Sequence, residues 1–525
     1  MEPNAKGLGF VTLPTISTPK DIVSLLASVI AARLLLRTFY TTILYPELFT
    51  PLKHIPTPAG RSLGKGTTAP SQKSHAARLR YWSKTVPNNG LIRYYLPGNQ
   101  ERVLVTSPKA LAEILVAHPT DFTKPKATRE RLWYITGRGL LLAEGEEHKI
   151  QRKSLVPAFS FRHVKDLYPV FWSKARELTD SLEKEIKKAP AKATRATLDI
   201  IGVAGMNHDF DALHDPDNLL NRQYRRLRQE PSWIEVLCSF VTSLLSPKDA
   251  SIVSQLPTSR KREVKEASDY IRSVCRSIIQ EKREKSESDQ TTSEVDIIAV
   301  ALKSGVFTDA NLVDQMMTFL AAGHGTTSHA LQWAVHVLCK HGQIQTRLRQ
   351  EVRDNLPSIT DSESTISATE LDRLPYLHAF CNELLRFYPP VPITVREALH
   401  DMTVAGQRIP KGTTFTIAPG VTNLDEQLWG PDAGKFDPER WMQKGCANTG
   451  GVQNHLGFLT FLHGPRSCIG ATFARSELAC LVAALVGRFR LELEDPNKEV
   501  EPTQRGIGAA PVDGVRTRLE VVDGW

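Results

Sequence analysis

Cysteine is scarce in this chain, and what there is lies scattered. Cys238, Cys275, Cys339, Cys381, Cys446, Cys468 and Cys480 are spread over 525 residues, and no CxxC occurs. An odd, dispersed set of this kind excludes a disulfide framework and the usual zinc sites, and it suits a reducing compartment. Long uncharged apolar runs are missing too. A dense basic-aromatic run, a zinc-finger pattern and an RNA-binding signature are also absent, so no nucleic-acid partner is expected. The net charge of +9, from 66 Lys+Arg against 57 Asp+Glu, is then left to serve anionic lipid or an acidic protein partner. No internal repeat is visible. With 41% hydrophobic residues, the chain can bury a large core.

The N-terminus comes nearest to an apolar run. In "DIVSLLASVIAARLLLRTFYTTILY", Asp21 to Tyr45, the uncharged part reaches only from Ile22 to Ala32. That is too short to span a bilayer, which takes about 20 residues. Counting on to Tyr45 gives the length, and Arg33 and Arg37 can snorkel from a tilted helix. Lys6 and Lys20 precede the segment, whereas Arg33, Arg37, Lys53, Arg61 and Lys65 lie in or after it. The positive-inside rule then leaves the bulk of the chain in the cytosol. A surface-lying amphipathic helix and a cleaved signal peptide are the other two readings; the second lacks a basic start and a disulfide pattern. "HIPTPAG", His54 to Gly60, reads as a stiff hinge between an anchor in residues 1–50 and a globular domain in 51–525.

The rest is mostly helical by its 3.6 periodicity, as in "LYPVFWSKARELTDSLEKEI", "VKEASDYIRSVCRSIIQEKREK", "NLVDQMMTFLAAGHGTTSHALQWAVHVLCKH" and "QTRLRQEVRDNL". Strands are few. "LIRYYL" and "ERVLVT" form a predicted hairpin about Pro97 to Gln100, "MTVAGQRIPKGTTFTIAP" a second, and "RTRLEVV" closes the chain. Glu281 to Asp296 reads as a solvated loop.

Within this frame one cysteine stands out. In "FLHGPRSCIG", Phe461 to Gly470, Gly464 and Pro465 impose a tight loop, and Cys468 is followed at once by the helical stretch "IGATFARSELACLVAALV". A thiol at a helix N-terminus faces unpaired N–H groups and a positive dipole end, which favour thiolate. Such a thiolate is a nucleophile, a redox sensor or a metal ligand. Two further motifs accompany it. "NELLRFYPPV" carries Glu383 and Arg386 three apart on a helix that Pro389 and Pro390 end, and "FDPERW" supplies Arg440 from a loop.

In this order and with these prolines, the three motifs resemble the cytochrome P450 family, the haem-thiolate monooxygenases, and in detail its fungal membrane-bound members. Phe461, Gly464, Arg466, Cys468 and Gly470 match the whole of the family's cysteine loop. The resemblance implies a mainly α fold with a small β region, preceded by an N-terminal membrane anchor helix. It implies haem b ligated through the Cys468 thiolate. Phe461 would shield the sulfur, and Gly464 and Gly470 would let backbone approach sulfur and porphyrin. Arg466, Arg396, His148 and Arg152 would hold haem propionates, His148 standing where a tryptophan is commoner. Glu383, Arg386 and Arg440 would form a buried network behind the loop, tolerable only if every charge is paired.

"FLAAGHGTTSHA", Phe319 to Ala330, matches the long helix that crosses above the haem. Helical spacing puts Phe319, Ala322, Gly323 and Thr326 on one face, with small residues leaving room for oxygen. Thr326 matches the family threonine that helps deliver protons. The residue before it is ordinarily Asp or Glu, and here it is Gly325. Either water with His324 or another group replaces that acid, or oxygen activation is slowed or unusual. Substrate contacts are expected from Trp133, Phe319, Ala322, Ile393, Thr394 and Ile507. The implied reaction inserts one atom of dioxygen into a hydrophobic small molecule, in fungal secondary metabolism. Electrons would come from NADPH through a cytochrome P450 reductase meeting Lys149, Arg152 and Lys153, at the endoplasmic reticulum membrane with the catalytic domain cytosolic. A haem-thiolate isomerase or dehydratase without external electrons and a non-catalytic haem protein are the alternatives.

Overall fold

A computed structural model of the chain describes residues 18–62, 65–70, 72, 74–184, 189–215, 217–229, 235, 258–288, 296–498, 500–502 and 508–525. Its axis is the 32-residue helix Asp309–Lys340, begun by Thr308, whose side chain accepts from the Asn311 amide. Gly323 and Gly325 each cost an isolated helix about 1 kcal/mol against alanine. Burial offsets that, because Met316, Leu320, Leu331, Trp333 and Ala334 are all at most 1% exposed in one large apolar core. Helices Ala189–Met206, Ser259–Ser288 and Ala471–Arg488 pack against the long helix, and Tyr168–Lys184 packs on the first and last of these.

The β structure sits apart as a five-stranded sheet in the spatial order Leu91–Leu96, Gln100–Val105, Thr414–Ile417, Thr394–Ala398, Phe122–Thr123. The expected first hairpin is present, Leu91 opposing Val105. The second is shorter than its sequence suggests. Only Met402–Val404 and Gln407–Ile409 pair with each other, while Thr414–Ile417 crosses into the large sheet. The closing strand Thr517–Val521 pairs with Phe489–Leu493.

Two expectations are corrected. The polar run from Glu281 is no loop at its start, since the helix runs on to Ser288; Lys282 is buried and pairs with Asp296 at 2.6 Å. The stretch after the N-terminal helix is no free hinge either. Leu52 and Ile55 lie in the core against the sheet, and Pro56 and Thr57 accept from the backbone and side chain of Arg93. Apolar side chains inside a proline-bearing segment gave it a place to pack.

The N-terminal helix itself, Pro19–Phe39, is capped by a reciprocal Thr18–Asp21 box. It continues into the wider turns of Tyr40–Phe49, where Thr41 and Thr42 bond back to the carbonyls of Arg37 and Thr38. Lys20–Phe49 is long and apolar enough to cross a membrane by length and composition, with mean hydropathy 1.8.

Candidate active site

Cys468 lies in the turn before helix Ala471–Arg488, and its amide donates to the Phe461 carbonyl at 2.8 Å. Gly464 closes the turn at φ +76°. A Cβ there would stand 2.0 Å from the Leu115 carbonyl oxygen, so glycine is required by a protein neighbour rather than by the sulfur. Gly470 is different: an added Cβ would meet nothing nearer than the Phe159 ring at 3.7 Å. Among the described cysteines Cys468 alone is exposed, although many protein atoms lie around it. Burial pushes this thiol up, against the Gly470 amide and Arg152, which pull it down. The helix end thus acts in the expected direction without prevailing, and full ionisation awaits a cation at the sulfur.

Behind the loop, Glu383 and Arg386 are completely buried. Glu383 accepts from Arg386 Nε at 2.8 Å and Nη2 at 2.7 Å, from the Asp437 amide at 2.8 Å and from the Trp441 indole at 2.9 Å. Arg440 approaches it at 3.4 Å and pairs with Asp432 at 3.1 Å; it comes from the short helix Glu439–Met442, not from a loop. Arg386 spends its remaining donors on the carbonyls of Asn423, Ala433 and Lys435. Asn423 carries the network to the loop. It accepts from the Leu459 amide and donates to Thr460, whose hydroxyl donates to the Leu385 carbonyl. Phe461 then packs beneath the Arg475 guanidinium, 4.9 Å from the ring centre. Asn423, Thr460 and Asp432 carried no signal in the sequence; Trp441 stood inside "FDPERW" unremarked.

On the other side of the loop, cations gather. Burial, and then the positive charge of Arg466, Arg152 and Lys124, holds His148 down to about 4, so its imidazole is neutral. Lys124 is pushed down to about 7, by burial and then by Arg396. Arg396 itself is lowered to about 10, by burial and then by Arg466. Glu144 is the carboxylate that answers them, ion-paired with Arg466. Lys124 and Glu144 were not foreseen, since neither lies in a motif. Arg152, in the same cluster, donates to the carbonyl and hydroxyl of Ser467 at 2.7 and 3.3 Å, bracing the loop. Arg396 donates to the Val395 carbonyl at 2.8 Å.

On the long helix, Ala322 is exposed, and the half-buried Thr326 donates to its carbonyl at 2.7 Å. Gly323 turns away from that face. A Cβ there would meet Ile201 at 2.7 Å, so its smallness serves helix packing. His324 is buried, bonded through Nδ1 to the Leu320 carbonyl and packed on Tyr224. Phe319 is a core residue, 5% exposed and 5.3 Å from the Phe159 ring, not a free wall. Trp133 has Arg272 over its ring, Ile393 packs with the cluster under helix His75–Thr85, and Thr394 lies beside Arg396. Ile507 lies outside the described residues.

Comparison with known proteins agrees with this geometry. The Cytochrome P450 family profile matches residues 74–514. The chain belongs to the cytochrome P450 family. It is similar to the cytochrome P450 monooxygenase sphH of Aspergillus fumigatus, 47% identical over 502 residues that cover 93% of this chain and 92% of that protein. The monooxygenase FSL4 of Gibberella zeae is 40% identical over 520 residues, with the same two coverages. Among solved structures, a cytochrome P450 named CYP102L1 shares the fold, with a TM-score of 0.68 at 23% identity, covering 85% of this chain and 94% of that one. The protein is therefore a haem-thiolate monooxygenase, an oxidoreductase whose class takes electrons from a redox partner and works on hydrophobic substrates. Nothing in these comparisons favours the isomerase, dehydratase or non-catalytic readings.

Proposed function

We propose that Cys468 would supply the thiolate ligand to the haem iron of this P450 and that Lys124, His148, Arg396 and Arg466 would receive the two haem propionates. The observation that carries this is the charge imbalance around the loop: among the described residues Arg466, Arg396, Arg152 and the lowered Lys124 gather about a neutral His148, and Glu144 is the carboxylate that answers them. Two propionates would supply negative charge to such a cluster, and Gly470 leaves space where a flat macrocycle would press. Haem, when bound, supplies the oxygen activation, assisted by electron donation from the thiolate. The chain's own residues do the rest. The network around Glu383 fixes the loop, Arg152 orients it from the other side, and Ala322 leaves room for a small molecule. The Thr326 hydroxyl passes a proton, with ordered water taking the place of the acid absent at Gly325.

The substrate we infer is a hydrophobic intermediate of fungal secondary metabolism. Anchoring by the helix before residue 50 in the endoplasmic reticulum membrane would leave residues 51–525 facing the cytosol. NADPH-cytochrome P450 reductase is the expected electron donor. Of its expected contacts, Lys149 and Lys153 are exposed, whereas Arg152 is committed to the loop. The test is a metabolite comparison between cells with and without the chain, followed by turnover of the accumulating compound with purified reductase. Product should require both NADPH and reductase; product without either would overturn the reading in favour of isomerisation or dehydration.

A further inference from the structure

Helix His75–Thr85 lies across one face of the five-stranded sheet, with Leu79 and Trp82 packed on Ile92, Tyr94 and Leu104. At its N-terminal end, His75 and Arg78 stand one turn apart over that face. Below them Tyr94 directly opposes Arg102 across the hairpin, so the two side chains share the face the helix covers. The His75 and Tyr94 rings are 5.8 Å apart. Tyr94 is satisfied, its hydroxyl 2.7 Å from Thr416 Oγ1. Around it, among the described residues, Arg78 Nε and His75 Nε2 are buried without a hydrogen-bond partner. Glu397 is the carboxylate whose charge reaches Arg102, from two strands away on the same face. Buried polar atoms are ordinarily paired, so the two unpartnered ones, beside the Arg102 guanidinium, leave a place for a partner that comes from outside.

We infer that His75, Arg78 and Arg102 form a binding site for the phosphate group of an anionic phospholipid. Two guanidiniums offer forked donors that fit phosphate oxygens in pairs, and an imidazole N–H adds a third direction. Burial and the charges of Arg78 and Arg102 hold His75 down to about 4, so it enters as a neutral donor. Two positive charges against the one carboxylate leave an excess for the anion to neutralise.

The membrane source follows from what docks on the same hairpin. Thr50 donates to Glu101 at 2.9 Å, Asn99 donates to the Thr42 carbonyl, and Tyr95 donates to the Pro46 carbonyl at 3.5 Å. The end of the apolar helix Lys20–Phe49 is thereby fixed to one face of the hairpin while Arg102 stands on the other. A hairpin held at the foot of a membrane anchor puts its cations at headgroup level. The choice of lipid rests on the anchor reading proposed above; the binding of phosphate itself does not.

The experiment titrates the full-length, haem-loaded protein by calorimetry with short-chain phosphatidic acid, short-chain phosphatidylcholine and inorganic phosphate. Phosphatidic acid should bind, and more tightly than the other two. Arg78→Gln and Arg102→Gln should each weaken it roughly tenfold or more, the worth of one charge-assisted partner. Arg102→Lys, which keeps the charge but not the fork, should fall between, and it serves if a glutamine variant does not fold. Arg408→Gln removes an equal charge from an exposed position and should change nothing. Equal weakening by Arg408→Gln, or no weakening by any of the other three, overturns the site. Inorganic phosphate bound as tightly as phosphatidic acid, with the same loss in the variants, overturns the lipid as occupant.

Discussion

Arg386 and Asn423 hold each other in both directions. Arg386 Nη1 donates to the Asn423 carbonyl at 2.8 Å, and Asn423 Nδ2 donates to the Arg386 carbonyl at 3.1 Å. The same amide nitrogen donates to Thr460, one residue before the cysteine loop begins, so the position of Cys468 is tied to an ion pair in another part of the chain. Asn423→Ala would leave the Leu459 amide without its acceptor and Arg386 with one bond fewer. Each buried group left unpaired costs about 1–3 kcal/mol. The variant should lose thermal stability and carry less haem, read from the ratio of haem to protein absorbance.

Glu383→Ala should be more severe. It strips two arginines, one indole and one amide of their shared acceptor, and breaking a buried pair costs about 3–5 kcal/mol. Little haem-loaded protein is expected. Normal haem content at normal stability would contradict the structural role assigned to the network.

Cys468→Ser should abolish the thiolate spectrum of the reduced carbon monoxide complex, and Cys480→Ser should keep it. Cys480 is wholly buried in the main apolar core, its thiol pushed well up by burial. Retention of the spectrum in Cys468→Ser would move the ligand elsewhere.

How much of this was legible beforehand depended on whether a residue spoke through its neighbours in sequence. The long helices, the first hairpin and the cysteine loop have local signatures, in periodicity, turn residues or motif, and they stand where expected. Gly323 was misassigned because helical spacing alone does not say which neighbour a face meets; Ile201 decides that. The reach of Asn423 and the cation Lys124 could not be read at all, since both act on residues far away in the chain. Pro56 suggested a hinge because proline stiffens a linker, yet the buried Leu52 and Ile55 on either side of His54 make it part of the core.

The same correction sets the truncation that tests the anchor. Removing residues 1–39 should release the protein from membranes, at least partly, with haem binding intact, because the exposed Leu35 and Leu36 go with it while Thr42, Pro46 and Thr50 stay on the hairpin. Removing residues 1–58 takes Leu52 and Ile55 out of the core. Burying a side chain of that size is worth about 1.5–3 kcal/mol. The longer truncation should therefore melt earlier. Complete loss of haem in the shorter one would show that the helix belongs to the catalytic domain.

The last prediction concerns an acid that the proposed chemistry does not use. Glu477, on the helix after the cysteine loop, is 1% exposed, and among the described residues neither carboxyl oxygen has a hydrogen-bond partner by geometry. Burial pushes it well above the ordinary carboxylate range, with the Thr327 hydroxyl pulling the other way. The folded protein therefore holds a proton here that the unfolded chain gives up near the usual glutamate pKa. Stability from this group is full below that value and is lost as pH rises toward the folded one, the reverse of an ion-paired carboxylate. Glu477→Gln removes the titration while keeping the shape. Thermal melts across pH should show the variant gaining on the parent as pH rises from the acid side to neutrality, with the two drawing together toward acid. Parallel melting curves at every pH would mean that the folded protein does not raise the Glu477 pKa, so that its carboxyl ionises there as it does in the unfolded chain.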